Sequence, residues 1–84
     1  MPSPLPPAEL RATLADIFAI PAEQVTADLN AASLPGWDSF RHLQAILALE
    51  SEFHVQFDPQ RIGDLTTVAA LEAELRALGV QFQG

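Results

Sequence analysis

The sequence predicts an all-α domain: a small four-helix bundle of three main amphipathic helices and one short helix, with a long first loop. Three segments repeat their large apolar residues at the three- and four-residue spacing of a helix. Proline or glycine lies near the ends of these segments, where helices start and stop. The chain of 84 residues has room for one small domain. It contains no cysteine, so disulfides and thiolate metal sites are excluded.

The first helix is predicted to begin at Pro7 and to end at Ala19 or Ile20. Proline suits the first helical position, because the N–H that it lacks has no partner there in any helix. The helix stops before Pro21, since proline disfavours helical backbone at the residue preceding it. Its large apolar residues share one face: Leu10, Leu14, Ile17 and Phe18.

Residues 21–38 form a long connection with few large apolar residues and one helical turn predicted at 21–25. Loops of this length are uncommon in compact domains and usually have a function. Four side chains are expected to hold the loop to the core, namely Val25, Leu29, Leu34 and Trp37.

The second helix starts at Asp38 or Ser39, both of which are favoured N-cap residues. Its predicted inward face contains Phe40, Leu43, Ile46, Leu47, Leu49 and Phe53. Its predicted outward face contains Arg41, Gln44, Ala48, Ser51 and Glu52. The helix ends at Phe53, and His54 is a residue type that tolerates the left-handed backbone of a helix exit.

The third helix is short and starts at Asp58-Pro59, after an extended linker at 54–57. Its inward groups are expected to be Ile62 and Leu65, and Gly63 keeps it short.

The fourth helix is capped by Thr66 or Thr67 and ended by Gly79. Its predicted inward stripe is Val68, Leu71, Leu75 and Leu78, and its outward residues are Glu72, Glu74 and Arg76. These boundaries divide the chain into a flexible leader at 1–6, a domain at 7–79 and a tail at 80–84.

The charge balance is acidic, with eleven acidic residues, four basic residues and a net charge of −7. This argues against binding nucleic acid. The acidic charge favours binding to protein partners that have basic patches. Alternatively, it only keeps a small domain soluble. The N-terminus has neither the basic residues nor the apolar run of a signal peptide or membrane anchor. No segment is long and apolar enough to span a bilayer. We expect a cytoplasmic monomer.

Ser39 has two interpretations at the start of the second helix. It caps the helix and does nothing else, or it carries a phosphate ester, which the free N–H groups and the helix dipole would favour. A hydrolase that uses Asp38, Ser39 and His42 is disfavoured, because no Gly-x-Ser-x-Gly elbow and no oxyanion donors accompany the serine. His42 and His54 are twelve residues apart and lack the spacing of metal ligands.

The motif Pro35-Gly36-Trp37-Asp38-Ser39-Phe40, followed by a helix that ends in Ala-Leu-Glu-Ser-Glu-Phe, resembles the acyl carrier protein family over residues 8–79. The sequence departs from that family at Phe40, where Leu or Met is usual, and at His54, where Gly is frequent. The resemblance implies that Ser39 carries 4'-phosphopantetheine, derived from coenzyme A, whose thiol holds acyl groups as thioesters. A phosphopantetheinyl transferase would supply the catalytic groups, so the chain itself would have no enzymatic activity.

The resemblance also implies surfaces for partners and cargo. The candidates for partner recognition are Asp38, Phe40, Arg41, Glu50 and Glu52. An acyl group would find shelter between the second and third helices, against Leu43, Ile46, Leu47 and Ile62, although ordinary core packing is the favoured explanation for each of these four taken singly.

The pathway expected for the carrier is a dedicated one, making a polyketide, a nonribosomal peptide or a specialised lipid. The early part of the second helix carries Arg41, His42 and Gln44, where family members that serve fatty-acid synthesis present acids. An acyl- or aminoacyl-loading ligase and downstream synthase, transferase or condensation enzymes would be its partners. Two alternatives are an aminoacyl or peptidyl carrier, and an unmodified acidic interaction module in which Ser39 is only a cap.

Overall fold

The computed structural model describes residues 5–82, and it confirms the all-α prediction. Within this range four α-helices follow one another, with a single 3-10 turn at Ala22–Gln24 in the first loop. The helices are α1 at Ala8–Phe18, α2 at Ser39–Phe53, α3 at Pro59–Ile62 and α4 at Val68–Ala77.

The core is built from side chains that α1, α2 and α4 share with the first loop and with the segments beside α3. Each of these side chains has at most 5% of its surface exposed: Leu10, Leu14, Phe18, Val25, Trp37, Ala45, Ile46, Leu49, Phe57, Leu65, Val68, Leu71 and Leu75. Burial of this apolar surface is the main favourable contribution to folding. Phe57 was not anticipated, because the sequence indicated only an extended linker around it.

The first loop is held to the core as predicted and is also bonded to the start of α4. Val25 and Trp37 are buried, while Leu29 and Leu34 are half-buried against the core. The N–H groups of Val68 and Ala69 donate to loop carbonyls, each at 3.0 Å. These N–H groups open a helix and lack intrahelical partners, so the loop satisfies them. The loop therefore has a defined course up to the start of α2.

The predicted starts of α2, α3 and α4 are confirmed, whereas α1 begins at Ala8, one residue later than predicted, with Pro7 as its N-cap. In α2, α3 and α4 the N-cap side chain accepts a hydrogen bond from an N–H two or three residues later: Asp38 from Arg41 at 2.8 Å, Asp58 from Gln60 at 2.9 Å, and Thr67 from Ala70 at 3.0 Å. His54 has the left-handed backbone expected of it, with φ 56°.

The predicted inward face of α2 is wrong for three of its residues. Phe40, Leu43 and Leu47 are 68%, 54% and 64% exposed. The buried residues of α2 are Ala45, Ile46 and Leu49. Large apolar residues surround much of this helix, so its own sequence leaves its rotation open. In the folded chain α1 packs against α2. The side of α2 that is buried is the one that carries the small Ala45.

The predicted outward face of α4 is wrong for Glu74, which is only 9% exposed. Its carboxylate accepts a hydrogen bond from Arg61 Nε in α3 at 2.9 Å. A buried carboxylate needs such a partner, and Arg61 supplies it from a different helix. Leu78, predicted to face inward, follows the end of α4 and is 38% exposed.

Packing extends beyond the predicted domain limits of 7 and 79. Pro6 is buried, and its carbonyl accepts from Arg11 Nε at 2.9 Å. Phe82 packs edge-on against Phe53 with ring centroids 5.3 Å apart. The rest of the predicted leader, 1–4, and of the predicted tail, 83–84, lies outside the described residues. Between residues 5 and 82 no helix is long and apolar enough to cross a membrane.

Candidate functional site

Ser39 is the first residue of α2 and its side chain is exposed. Asp38 precedes it as the N-cap, and the Asp38 carboxylate is occupied by the N–H of Arg41. The N–H groups of the first helical turn have no intrahelical acceptors, and the positive end of the helix dipole lies at the same place. A phosphate ester on the Ser39 hydroxyl would therefore meet a favourable electrostatic environment.

An open groove of about 580 Å³ begins at Ser39 and runs between the first loop, α2 and α3. Volumes of this size are typical of sites for small ligands. Its walls combine apolar side chains with a few polar groups: Ala31, Trp37, Asp38, Ser39, His42, Leu43, Ile62, Gly63 and Thr66.

His42 connects three elements beneath this groove. Trp37 Nε1–H of the first loop donates to His42 Nδ1 at 3.0 Å, and His42 Nε2 lies 2.7 Å from the carbonyl oxygen of Ile62 in α3. The indole N–H can only donate, so Nδ1 must be the acceptor and Nε2 carries the proton that is donated to Ile62. We call this arrangement of Trp37, His42 and the Ile62 carbonyl the His42 link.

The His42 link argues against a hydrolase that uses Asp38, Ser39 and His42. Both ring nitrogens of His42 are engaged, one by an indole N–H and the other by a backbone carbonyl. Neither nitrogen is free to accept a proton from Ser39 in this arrangement. Within residues 5–82 no cluster of three His, Cys, Asp or Glu residues could hold a metal ion.

The four residues predicted to shelter an acyl group separate into three environments. Leu43 and Ile62 line the groove beside Ser39. Ile46 is 2% exposed and belongs to the core, and Leu47 is 64% exposed on the solvent side of α2. The structure thus brings two of the four together at the groove.

Of the residues predicted for partner recognition, Asp38 and Phe40 flank Ser39 and are exposed. Glu52 is also exposed, but it lies on the other side of α2, where it lines a second groove with Asp16 of α1.

The other two candidates, Arg41 and Glu50, bind the chain itself. The Arg41 guanidinium donates to the carbonyl of Ile17 in the last turn of α1, where a cation is favoured by the helix dipole. The Glu50 carboxylate accepts from the N–H of Phe57 at 2.8 Å and so fixes the segment that follows α2. Both charged side chains therefore have binding partners within the chain, and no partner protein is needed to explain them.

Besides Trp37, which was expected only as a core residue, sequence reasoning missed four residues of the groove, namely Ala31, His42, Gly63 and Thr66. For His42 one signal was available. A buried tryptophan usually places its N–H against an acceptor, and His42 lies five residues after Trp37, one turn into the helix. For the other three, the loop and α3 have to be folded before their proximity to Ser39 is visible.

Comparison with known protein families gives a match to the model described as a phosphopantetheine attachment site, over residues 8–75. A comparison with curated proteins gives no match. The family match covers the first loop, the whole of α2 and the groove. Carrier domains of this kind hold 4'-phosphopantetheine and carry acyl groups linked to it, and they are not catalytic themselves. The chain belongs to the phosphopantetheine-attachment family, its cofactor is 4'-phosphopantetheine, and it is a carrier protein for acyl groups linked to that cofactor.

Proposed function

We propose that Ser39 is the attachment residue, and that the chain passes thioester-bound acyl or aminoacyl intermediates among the enzymes of a dedicated biosynthetic pathway. The observation that carries this proposal is the exposed Ser39 hydroxyl at the first residue of α2, on the rim of the groove. When bound, 4'-phosphopantetheine supplies a thiol that holds the acyl group as a thioester.

The other serines within the matched range fit attachment less well. The Ser33 hydroxyl is bonded to the backbone of Asn30, accepting from its N–H at 3.3 Å and donating to its carbonyl at 3.1 Å. Ser51 lies in the later part of α2, far from the free N–H groups of the helix start. Ser39 alone among the three combines an exposed hydroxyl with the electrostatics of a helix N-terminus.

Attachment at Ser39 needs a phosphopantetheinyl transferase as partner. The Ser39 oxygen forms a bond to the phosphorus next to the pantetheine arm of coenzyme A, and the bond from that phosphorus to 3',5'-ADP breaks. The proton of the hydroxyl goes to a base of the transferase, since His42 is engaged on both ring nitrogens. Asp38 holds the helix start in place, and its exposed side chain is available to the transferase for recognition.

Partner enzymes are proposed to dock on the solvent side of α2. Every exposed residue of this helix before Glu52 is uncharged: Ser39, Phe40, Leu43, Gln44, Leu47 and Ser51. This surface continues directly from the attachment residue, so any enzyme that reaches the thioester passes it. We infer apolar docking contacts, with Phe40 as the main one, and assign Arg41 and Glu50 to the stability of the chain.

An uncharged docking face favours dedicated partners over enzymes that recognise acidic carriers. The proposed set consists of an acyl- or aminoacyl-loading ligase and of downstream synthase, transferase or condensation enzymes. We further propose that the protein acts as a cytoplasmic monomer.

Intact mass spectrometry tests the attachment site. The protein is incubated with coenzyme A and a broad-specificity transferase, together with the variant Ser39→Ala and the matched control Ser51→Ala on the same helix. We expect one phosphopantetheine on the wild type and on Ser51→Ala and none on Ser39→Ala. Modification that persists in Ser39→Ala would contradict the proposed site. An unmodified wild type would favour the interaction module.

A further inference from the structure

The His42 link lies in the wall of the groove that begins at Ser39. Its two hydrogen bonds join the first loop, α2 and α3, and Trp37, His42 and Ile62 all line the groove. The rings of Trp37 and His42 are stacked, with centroids 6.1 Å apart. Trp37 also packs against Phe18 of α1, with ring centroids 4.7 Å apart. Trp37 is 4% and Phe18 is 5% exposed, so both rings belong to the packed core next to the groove.

A long alkyl chain that left the groove for the interior would have to displace these rings. It would also leave the Trp37 N–H and the Ile62 carbonyl without partners in an apolar environment, which is unfavourable. The link depends on a tryptophan two residues before the serine and a histidine three residues after it.

The groove itself is open to solvent and of mixed chemistry. Leu43 and Ile62 offer apolar surface, whereas Thr66 and Asp38 are exposed polar residues on the same walls. A long alkyl chain that stayed here would keep much of its surface in water, where apolar groups are unfavourable. A short acyl group meets no such difficulty.

We propose that this carrier keeps its cargo outside the bundle, above the closed His42 link, and that its cargo is a short acyl group. The inference rests on the proposed attachment at Ser39 and extends it to the class of cargo.

The test compares a short and a long thioester on the same protein. A broad-specificity transferase is supplied with acetyl- or octanoyl-coenzyme A, and intact mass confirms each product. A missing mass increment at this step would contradict the attachment proposal and not the inference about cargo. Hydroxylamine then displaces the thiol to give the hydroxamate, and each rate constant is divided by that of the same acyl group on free coenzyme A.

We expect the two normalised rate constants to agree, because both thioesters stay accessible. An octanoyl value lower than the acetyl value by about tenfold, as protection worth about 1.4 kcal/mol would give, would overturn the proposal. The octanoyl form is also expected to melt at the same temperature as the acetyl form. A higher melting temperature for the octanoyl form would show that the chain is buried.

Two variants test whether the His42 link is the barrier. His42→Ala removes both hydrogen bonds, and Trp37→Phe removes only the indole donor while keeping an aromatic ring in the core. In each variant that retains the helical circular dichroism of the wild type, the octanoyl thioester is expected to become protected relative to acetyl. Unchanged octanoyl rates in both variants would contradict the role given to the link.

Discussion

Asp38 and Ser39 are neighbours at the start of α2, yet they have different tasks. The Asp38 carboxylate closes the first turn by accepting from Arg41 N–H, so the Ser39 hydroxyl is not needed as a cap. The exposed hydroxyl is thereby free for attachment. The sequence predicted a cap at one of the two positions, and the geometry decides for Asp38.

Replacing Asp38 separates its capping role from any recognition by the transferase. Asp38→Ala is expected to lower the free energy of unfolding by about 1 kcal/mol, whereas Asp38→Asn keeps a good cap and changes it little. Urea unfolding followed by circular dichroism measures both. If Asp38→Asn is stable but modified more slowly than the wild type, the carboxylate is recognised. Equal rates of modification would leave Asp38 a cap alone.

A double-mutant cycle measures the bond between Trp37 and His42. The variants Trp37→Phe, His42→Ala and their combination are expected to show a coupling free energy of about 1 kcal/mol, the usual contribution of a hydrogen bond. Chemical denaturation gives the three free energies of unfolding. The matched cycle of Trp37→Phe with His54→Ala should be additive, because His54 lies at the other end of α2. Additivity in both cycles would mean that the bond adds no stability.

The helices α1 and α2 end in the same way, on a residue with left-handed backbone that is not glycine. Ala19 follows α1 and His54 follows α2, and both have φ 56°. The N–H of Ala19 donates to the carbonyl of Ala15, and that of His54 donates to the carbonyl of Glu50. The left-handed exit at His54 was predictable from sequence, since histidine tolerates this conformation. For α1 the sequence predicted only an end at Ala19 or Ile20 before Pro21, and the left-handed backbone of Ala19 was not predicted.

Glycine at these two exits should stabilise the protein. In the left-handed region the backbone of any residue other than glycine is strained by roughly 1 kcal/mol or more. Ala19→Gly and His54→Gly are therefore each expected to raise the free energy of unfolding by up to about 1 kcal/mol. The control is Ala73→Gly, at an exposed position inside α4, which should destabilise by about 1 kcal/mol. Thermal and urea unfolding provide the comparison. Destabilisation at all three positions would contradict the assigned backbone conformations.

The whole molecule carries a net charge of −7, but apart from the N-cap Asp38 the exposed surface of α2 near the proposed attachment residue is uncharged. On α2, Arg41 and Glu50 are bonded within the chain, and the exposed residues before Glu52 are uncharged. Composition alone suggested docking by acidic groups on basic partners. The fold instead favours apolar contacts near Ser39, and the remaining acidic surface suffices for solubility.

The kinetics of modification by the transferase test this docking mode. Phe40→Ala is expected to lower kcat/KM about tenfold, because it removes an aromatic contact, worth roughly 1 to 2 kcal/mol, that is buried between carrier and transferase. The control Gln44→Ala, on the same face, should behave as the wild type. Raising the ionic strength from about 0.01 M to about 0.15 M shortens the Debye length from about 30 Å to about 8 Å and should change kcat/KM little. A steep fall with salt, and no effect of Phe40→Ala, would indicate electrostatic docking.

The sequence by itself determined the capped starts of α2, α3 and α4, the left-handed exit at His54, the position of Ser39 at the start of α2 and the resemblance to carrier proteins. These features depend on residues within a few positions of one another, because a cap or a helix exit bonds only to its own turn. Only the tertiary structure decided which side of α2 faces the core, that Arg41, Glu50 and Glu74 are bonded within the chain, and that His42 joins Trp37 to Ile62. Each of those outcomes brings together residues from different elements, and an apolar helix has no preferred rotation until its neighbours pack against it.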